Sequence, residues 1–197
     1  MPIYDDLETI SLYPRPELAL RGLIARAVRW YEIESILDVG SGHGGVFDYD
    51  FWTRAPLHRR ASCDIHRVRE MSPEWATKAG VDVQCLTDFY EPDSFDLVQC
   101  MEVLEHVPDT RAALEQLCTV ARRLVLITSA DEASHATDEH GNVDPNSVQA
   151  QFERVNPHQR YIRQPRVSDL QELGFEVLVE AAGRRQLVAW RALRAVD

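Results

Sequence analysis

The chain has 197 residues, enough for one domain with a sizeable core. Hydrophobic residues make up 45% of it, which places it among globular rather than disordered proteins. A formal net charge of −11 argues against nucleic acid or an anionic membrane surface as its main partner, since both require a basic protein surface.

Residues 1–15 are polar and mixed and read as an arm. From Pro16 the apolar residues Leu20, Leu23, Ile24, Ala27, Val28 and Tyr31 form one helical stripe, so 1–33 is an arm plus a helix. Ile36, Leu37 and Val39 then mark a short buried strand at about 35–40, running into Gly40, Gly42, Gly44 and Gly45. Glycines clustered at the end of a buried strand let the backbone turn sharply and let a ligand approach. Val46 to Trp52 is aromatic and acidic, and Pro56 closes it early. Ala61 to Ile65 reads as a second strand. Ser72-Pro73-Glu74 predicts a helix ended by Gly80, and the alternating Val81 to Leu86 a third strand. Phe95 to Met101 is the fourth strand, about Thr110 to Ala121 a helix, and Leu124 to Thr128 a central fifth strand. Residues 129–164 are polar, with one short helix near Ser147 to Arg154. So long a segment between regular elements suits a lid that recognises a substrate. A helix over Pro165 to Leu173 precedes strands at Phe175 to Ala181 and Gln186 to Ala192. Only a hairpin fits the link between these two, so the last strand runs antiparallel to its neighbour.

Alternating strands and helices with one closing hairpin imply a single α/β domain over 1–197. Its sheet is Rossmann-like, seven-stranded and mostly parallel, with an antiparallel closing strand and helices on both faces. Ligands of such sheets lie beyond the carboxyl ends of the strands. Four acids are expected there: Asp38, Asp64, Asp88 and Glu102. Asp64 is 24 positions after Gly40, about where an acid grips both hydroxyls of a ribose. Gly40, Gly42 and Gly45 also satisfy the dinucleotide pattern G-x-G-x-x-G, so a nicotinamide-dependent oxidoreductase is the alternative on the glycines alone. A Tyr-x-x-x-Lys pair is lacking, and the one lysine, Lys78, lies between early strands. A non-catalytic cofactor-binding member of the fold is the third reading. Cys63, Cys85, Cys100 and Cys118 are widely spaced with no C-x-x-C, the pattern of buried reduced thiols. The first residues lack the basic flank and apolar run of a signal peptide, and no segment approaches membrane-spanning length. The expected location is cytoplasmic.

Ile36-Leu37-Asp38-Val39-Gly40-Ser41-Gly42-His43-Gly44 resembles the first motif of the class I, Rossmann-like S-adenosylmethionine-dependent methyltransferases. Phe95-Asp96-Leu97-Val98 with Met101-Glu102-Val103-Leu104-Glu105-His106-Val107-Pro108-Asp109 is similar to their fourth-strand motif, especially in ubiquinone-pathway O-methyltransferases and related small-molecule enzymes. The resemblance implies that Asp38 and the backbone at Gly40, Gly42 and Gly44 hold the methionine end of the donor. Asp64 takes the ribose hydroxyls, and Ile65 lies against the adenine. Asp88 accepts from the adenine amino group with Phe89 beside it, and Met101-Glu102 passes under the methionine amino group. The implied reaction is methyl transfer from S-adenosylmethionine, leaving S-adenosylhomocysteine, to a small-molecule acceptor at oxygen. A hydroxyl acceptor calls on a base that titrates near neutrality, and His106 and His158 are the best placed by sequence. Glu102, Glu105 and His106 could instead ligate a divalent metal, whereas His135, Asp138, His140 and Asp144 fit no standard metal-site spacing, and no metal is assigned. Four arginines between 154 and 166, with no acid among them, point to an anionic group on the acceptor.

Overall fold

A computed structural model describes residues 29–41, 57–65, 76–129, 158, 160–181 and 184–193. The N-terminal arm, nearly all of the first predicted helix, Gly42, Gly44, Gly45, the stretch Val46 to Trp52 and most of the 129–164 segment lie outside the described residues.

Seven strands form one sheet in the order β3-β2-β1-β4-β5-β7-β6. They are β1 (Ser35–Val39), β2 (Arg59–Asp64), β3 (Ala76–Ala79), β4 (Phe95–Met101), β5 (Ala121–Ser129), β6 (Glu176–Ala181) and β7 (Arg184–Ala192). The first five pair in parallel, while β7 is antiparallel to both β5 and β6, as the short link between the last two strands requires. The central strands β1 and β4 are buried along their whole length, so apolar residues face both sides of the sheet and their pattern does not simply alternate. On one face Leu37, Val39, Val98, Val125 and Ile127 pack with Ala113, Leu114 and Leu117 of helix α1 (Thr110–Val120) and Leu170 of helix α2 (Val167–Glu172). On the other face the register sets Ile36 beside Leu97, Leu97 beside Leu124 and Leu126 beside Trp190, and all of these are buried. Asp109 caps α1 by accepting from the Ala112 N–H at 3.0 Å.

The third strand departs from the sequence expectation. Ala76–Ala79 is a strand and not the end of a helix, and Gly80 closes that strand at φ +74. Where a strand was expected over Val81 to Leu86, Val83–Asp88 forms a 3-10 helix capped by Asp82, whose carboxylate accepts from Gln84 N at 2.9 Å. Val83 and Leu86 are three apart and both buried, so the apolar spacing that looked like alternation serves one face of a 3-10 turn. β3 is an edge strand of mostly exposed residues, Ala-Thr-Lys-Ala, with no apolar pattern to announce it. Cys63 and Cys100 are buried as expected, but Cys85 sits exposed on the 3-10 helix. All four thiols are free. Lys78 closes this corner: its Nζ donates to the Phe89 carbonyl at 2.9 Å and lies 4.5 Å from the centre of the Tyr90 ring. Among the described residues, no helix is long and apolar enough to cross a membrane.

Candidate active site

The carboxyl ends of β1, β2 and β4 open into a cavity of about 300 Å³. β1 contributes Val39 and Gly40, and β2 contributes Asp64 and Ile65. Val81, Asp82, Val83 and Gln84 come from the link before the 3-10 helix and from its first residues. Glu102 and Val103 follow β4, with His106, Val107 and Pro108 just beyond.

Gly40 is fixed by two local demands. Its φ of +72 is in the left-handed region, and a Cβ there would run into the Val103 side chain. The N–H groups of Gly40 and Ser41 both donate to the Cys63 carbonyl, at 2.8 and 3.1 Å, which ties the turn to the end of β2. Asp64 and Ile65 leave β2 from that same point.

Glu102 also has a positive φ, +54, although it carries a side chain. Its N–H donates to the Thr128 carbonyl at 3.1 Å, and its Oε1 accepts from Thr128 Oγ1 at 2.7 Å. The chain then turns through a short 3-10 helix, Leu104–His106. Glu105 in its middle is fully buried, accepting from Ser129 Oγ at 3.0 Å. The Glu105 carbonyl accepts from Ile162 N at 2.7 Å and Arg163 N at 3.2 Å. Gln164 adds a bond from Nε2 to the Ser129 carbonyl at 3.1 Å. Residues 160–164 are thus strapped across the ends of β4 and β5, and His158, just ahead of the strap, lines the cavity with His106.

The structure brings Gly40, Asp64, Ile65, Glu102, His106 and His158 to one cavity. Asp38 and Met101 are buried within their strands and do not line it. Asp38 accepts from Gln99 Nε2 at 2.9 Å. Burial pushes its carboxyl up to about 7, against the opposing Gln99 hydrogen bond and with a smaller push from the Asp64 charge. Asp88 and Phe89 are not among the residues that line this cavity. They lie exposed at the far end of the 3-10 helix, away from the cavity wall, and Asp82 and Val83 line it instead. The expected strand, Val81 to Leu86, starts five and ends seven residues later than β3, and the acid that follows it moves six positions, from Asp82 to Asp88. Asp82 was legible as the cap of a helix two residues before Gln84, a signal the alternating pattern masked. Arg160 and Arg163 are exposed and stand outside the cavity lining.

The lining has a distinctive chemistry. Asp64, Asp82 and Glu102 supply three carboxylates, and among the described residues that line the cavity there is no lysine or arginine. Such a wall accepts hydroxyl, amino and cationic groups and repels a diphosphate. Apolar Ile65, Val81 and Val83 offer a surface for a flat ring. A nucleoside carrying a sulfonium and an ammonium fits these residues. Fold and cavity together define a Rossmann-like α/β protein with an acidic, partly apolar cleft at the carboxyl edge of its sheet, the form shared by class I methyltransferases.

Comparison with known proteins agrees. A family profile described as "Methyltransferase domain" matches residues 13–180, and the chain belongs to that family. It is 31% identical over 105 residues to a ubiquinone biosynthesis O-methyltransferase of Parvibaculum lavamentivorans, a match covering 51% of this chain and 41% of that protein. The chain therefore spans about two-fifths of that relative's length. Among solved structures it resembles the CurJ carbon methyltransferase, with TM-score 0.63, 14% identity, and 99% of this chain and 60% of that one covered. It also resembles CalH, a trans-methyltransferase solved in complex with SAH, at TM-score 0.58 and 17% identity over 88% of this chain and 55% of that one. An S-adenosylmethionine-dependent methyltransferase from Archaeoglobus fulgidus matches at TM-score 0.55 and 12% identity, with 89% and 94% covered. At these identities the structural likenesses speak for the fold alone.

Proposed function

We propose that this protein transfers a methyl group from S-adenosylmethionine to a hydroxyl of a small-molecule acceptor. The observation that carries this reading is the cavity wall, with three carboxylates and two histidines at the carboxyl edge of the sheet and, among the described residues that line it, no lysine or arginine to meet a diphosphate. S-adenosylmethionine supplies a sulfonium methyl that is already electrophilic. The protein's share is to hold the reactants in line and keep water out.

Asp64 would hold the ribose hydroxyls, Asp82 the adenine amino group, and Ile65 and Val83 the faces of the ring. The backbone at Gly40 and the Glu102 segment would hold the methionine end, and by the motif resemblance Gly42 and Gly44, outside the described residues, would contribute to the same task. Asp38, behind Val39, supports that turn from within β1. His106 and His158 supply imidazole nitrogens at the acceptor side, where one of them takes the hydroxyl proton. Residues 129–164 would act as the lid, and Arg160 and Arg163 on its strap would meet an anionic group of the acceptor. Oxygen is favoured by the histidines and by the sequence relative, an O-methyltransferase. The carbon methyltransferase of similar fold carries no weight on this point.

Ligand-linked stability tests the donor. S-adenosylhomocysteine at a hundred times its dissociation constant should add about 2.7 kcal/mol to the unfolding free energy, and NAD should add nothing. Stabilisation by NAD and none by S-adenosylhomocysteine would return the protein to the oxidoreductases.

A further inference from the structure

Glu102 is a charged residue held in a backbone conformation that side chains rarely adopt, at φ +54. Two bonds tie it to Thr128 on the neighbouring strand. The Thr128 carbonyl accepts from the Glu102 N–H at 3.1 Å, and the Thr128 hydroxyl donates to Glu102 Oε1 at 2.7 Å. Thr128 is itself 1% exposed and pairs in register with Met101, the residue before Glu102. A buried hydroxyl has one proton to give, and this one goes to a carboxylate on the wall of the cavity. The same left-handed turn carries the chain on to Val103, which packs over Gly40. The position and backbone of this part of the wall are thus tied to a residue that does not line the cavity.

We propose that Thr128 is a positioning residue that aims the Glu102 carboxylate at the α-ammonium of the donor, and that this pair makes the site select donors bearing an amino-acid tail over the bare thionucleoside. The proposal rests on the donor reading above and concerns only its methionine end. The hydroxyl is what matters: valine has the shape of threonine without the proton, and serine keeps the proton without the methyl.

The test compares two ligands. S-adenosylhomocysteine carries the ammonium, and 5′-methylthioadenosine lacks the amino-acid tail but keeps adenine, ribose and sulfur. Calorimetric titration of the wild type should show tighter binding of S-adenosylhomocysteine. Thr128→Val should weaken that ligand about tenfold and leave 5′-methylthioadenosine within about twofold, the loss expected for one charge-assisted hydrogen bond. Thr128→Ser should restore most of the affinity. Should Thr128→Val fail to fold, Glu102→Gln keeps an acceptor for the Thr128 hydroxyl and removes the charge, and it should show the same ligand-selective loss. Equal weakening of both ligands, or of neither, overturns the proposal. A wild type that binds 5′-methylthioadenosine as tightly as S-adenosylhomocysteine overturns it too, leaving the nucleoside reading standing. A wild type that binds neither removes the donor reading, and the proposal with it.

Discussion

The amino and carboxyl edges of the sheet each bury an aspartate, and the fold treats the two in opposite ways. At the amino edge Asp96 of β4 is 1% exposed and fully engaged. Its Oδ2 accepts from Ser35 Oγ at 2.9 Å and from the N–H groups of Ser35 and Glu34 at 3.0 and 3.1 Å. Its Oδ1 accepts from Arg122 Nε at 2.8 Å, with Arg123 Nε at 3.4 Å. Burial alone would raise its carboxyl, but the Arg122, Ser35 and Glu34 contacts outweigh it and hold the group below its ordinary value. At the carboxyl edge Asp38 has one amide partner, and burial wins. One edge is a pin joining β1, β4 and β5. The other gives up stability for a carboxylate next to the cavity, as functional sites often do.

The sharpest way to break this contrast is Asp96→Ala. It should cost about 3 kcal/mol in urea unfolding, because it strands two backbone N–H groups and a hydroxyl and removes the carboxylate that pairs with Arg122. Affinity for S-adenosylhomocysteine, measured on the folded fraction, should stay the same. Loss of affinity as large as the loss of stability would show that the two edges are not separable.

Next in size is His106→Asn. Turnover should fall about a hundredfold, equivalent to about 2.7 kcal/mol, with donor affinity kept and stability within about 1 kcal/mol of the wild type. Unchanged turnover would leave His158 as the base.

The smallest effect runs the other way. The folded-state value of Asp38 lies above its unfolded one, near 4, so the cost of ionising it is absent below pH 4, grows as pH rises, and is complete above about 7. Asp38→Asn should therefore flatten the fall in stability between pH 5 and 8, by on the order of 2 kcal/mol, and raise the denaturation midpoint at pH 8. Asp96 has the reverse sign. Its contribution is full above the unfolded value and is lost as pH falls through the lower folded one. A wild type whose stability does not decline between pH 5 and 8, with Asp38→Asn unchanged from it, would show that Asp38 is better solvated than its burial implies.

The two edges were also unequally legible in the sequence. Central strands declare themselves, because branched apolar residues buried on both faces leave few other readings for Ile36-Leu37-Asp38-Val39 or Leu124 to Thr128. The hairpin of β6 and β7 followed from the length of its link. β3 was hidden because an exposed edge strand has no apolar pattern to read, and the displaced strand carried the expected acid from Asp82 to Asp88. The left-handed turn at Glu102 had no local sign, such as glycine or asparagine. What stabilises it is Thr128, 26 positions later, and a contact at that separation exists only once β4 and β5 have paired.

Lys78 gives this edge strand a use at the bench. It is the one lysine of the sequence, and its ammonium is tethered to the far end of the 3-10 helix whose first residues wall the cavity. An acylating reagent selective for side-chain amines would therefore mark a single spot. The pace of that marking would gauge how firmly Lys78 is held against Phe89 and Tyr90, and a ligand gripping Asp82 and Val83 should slow it.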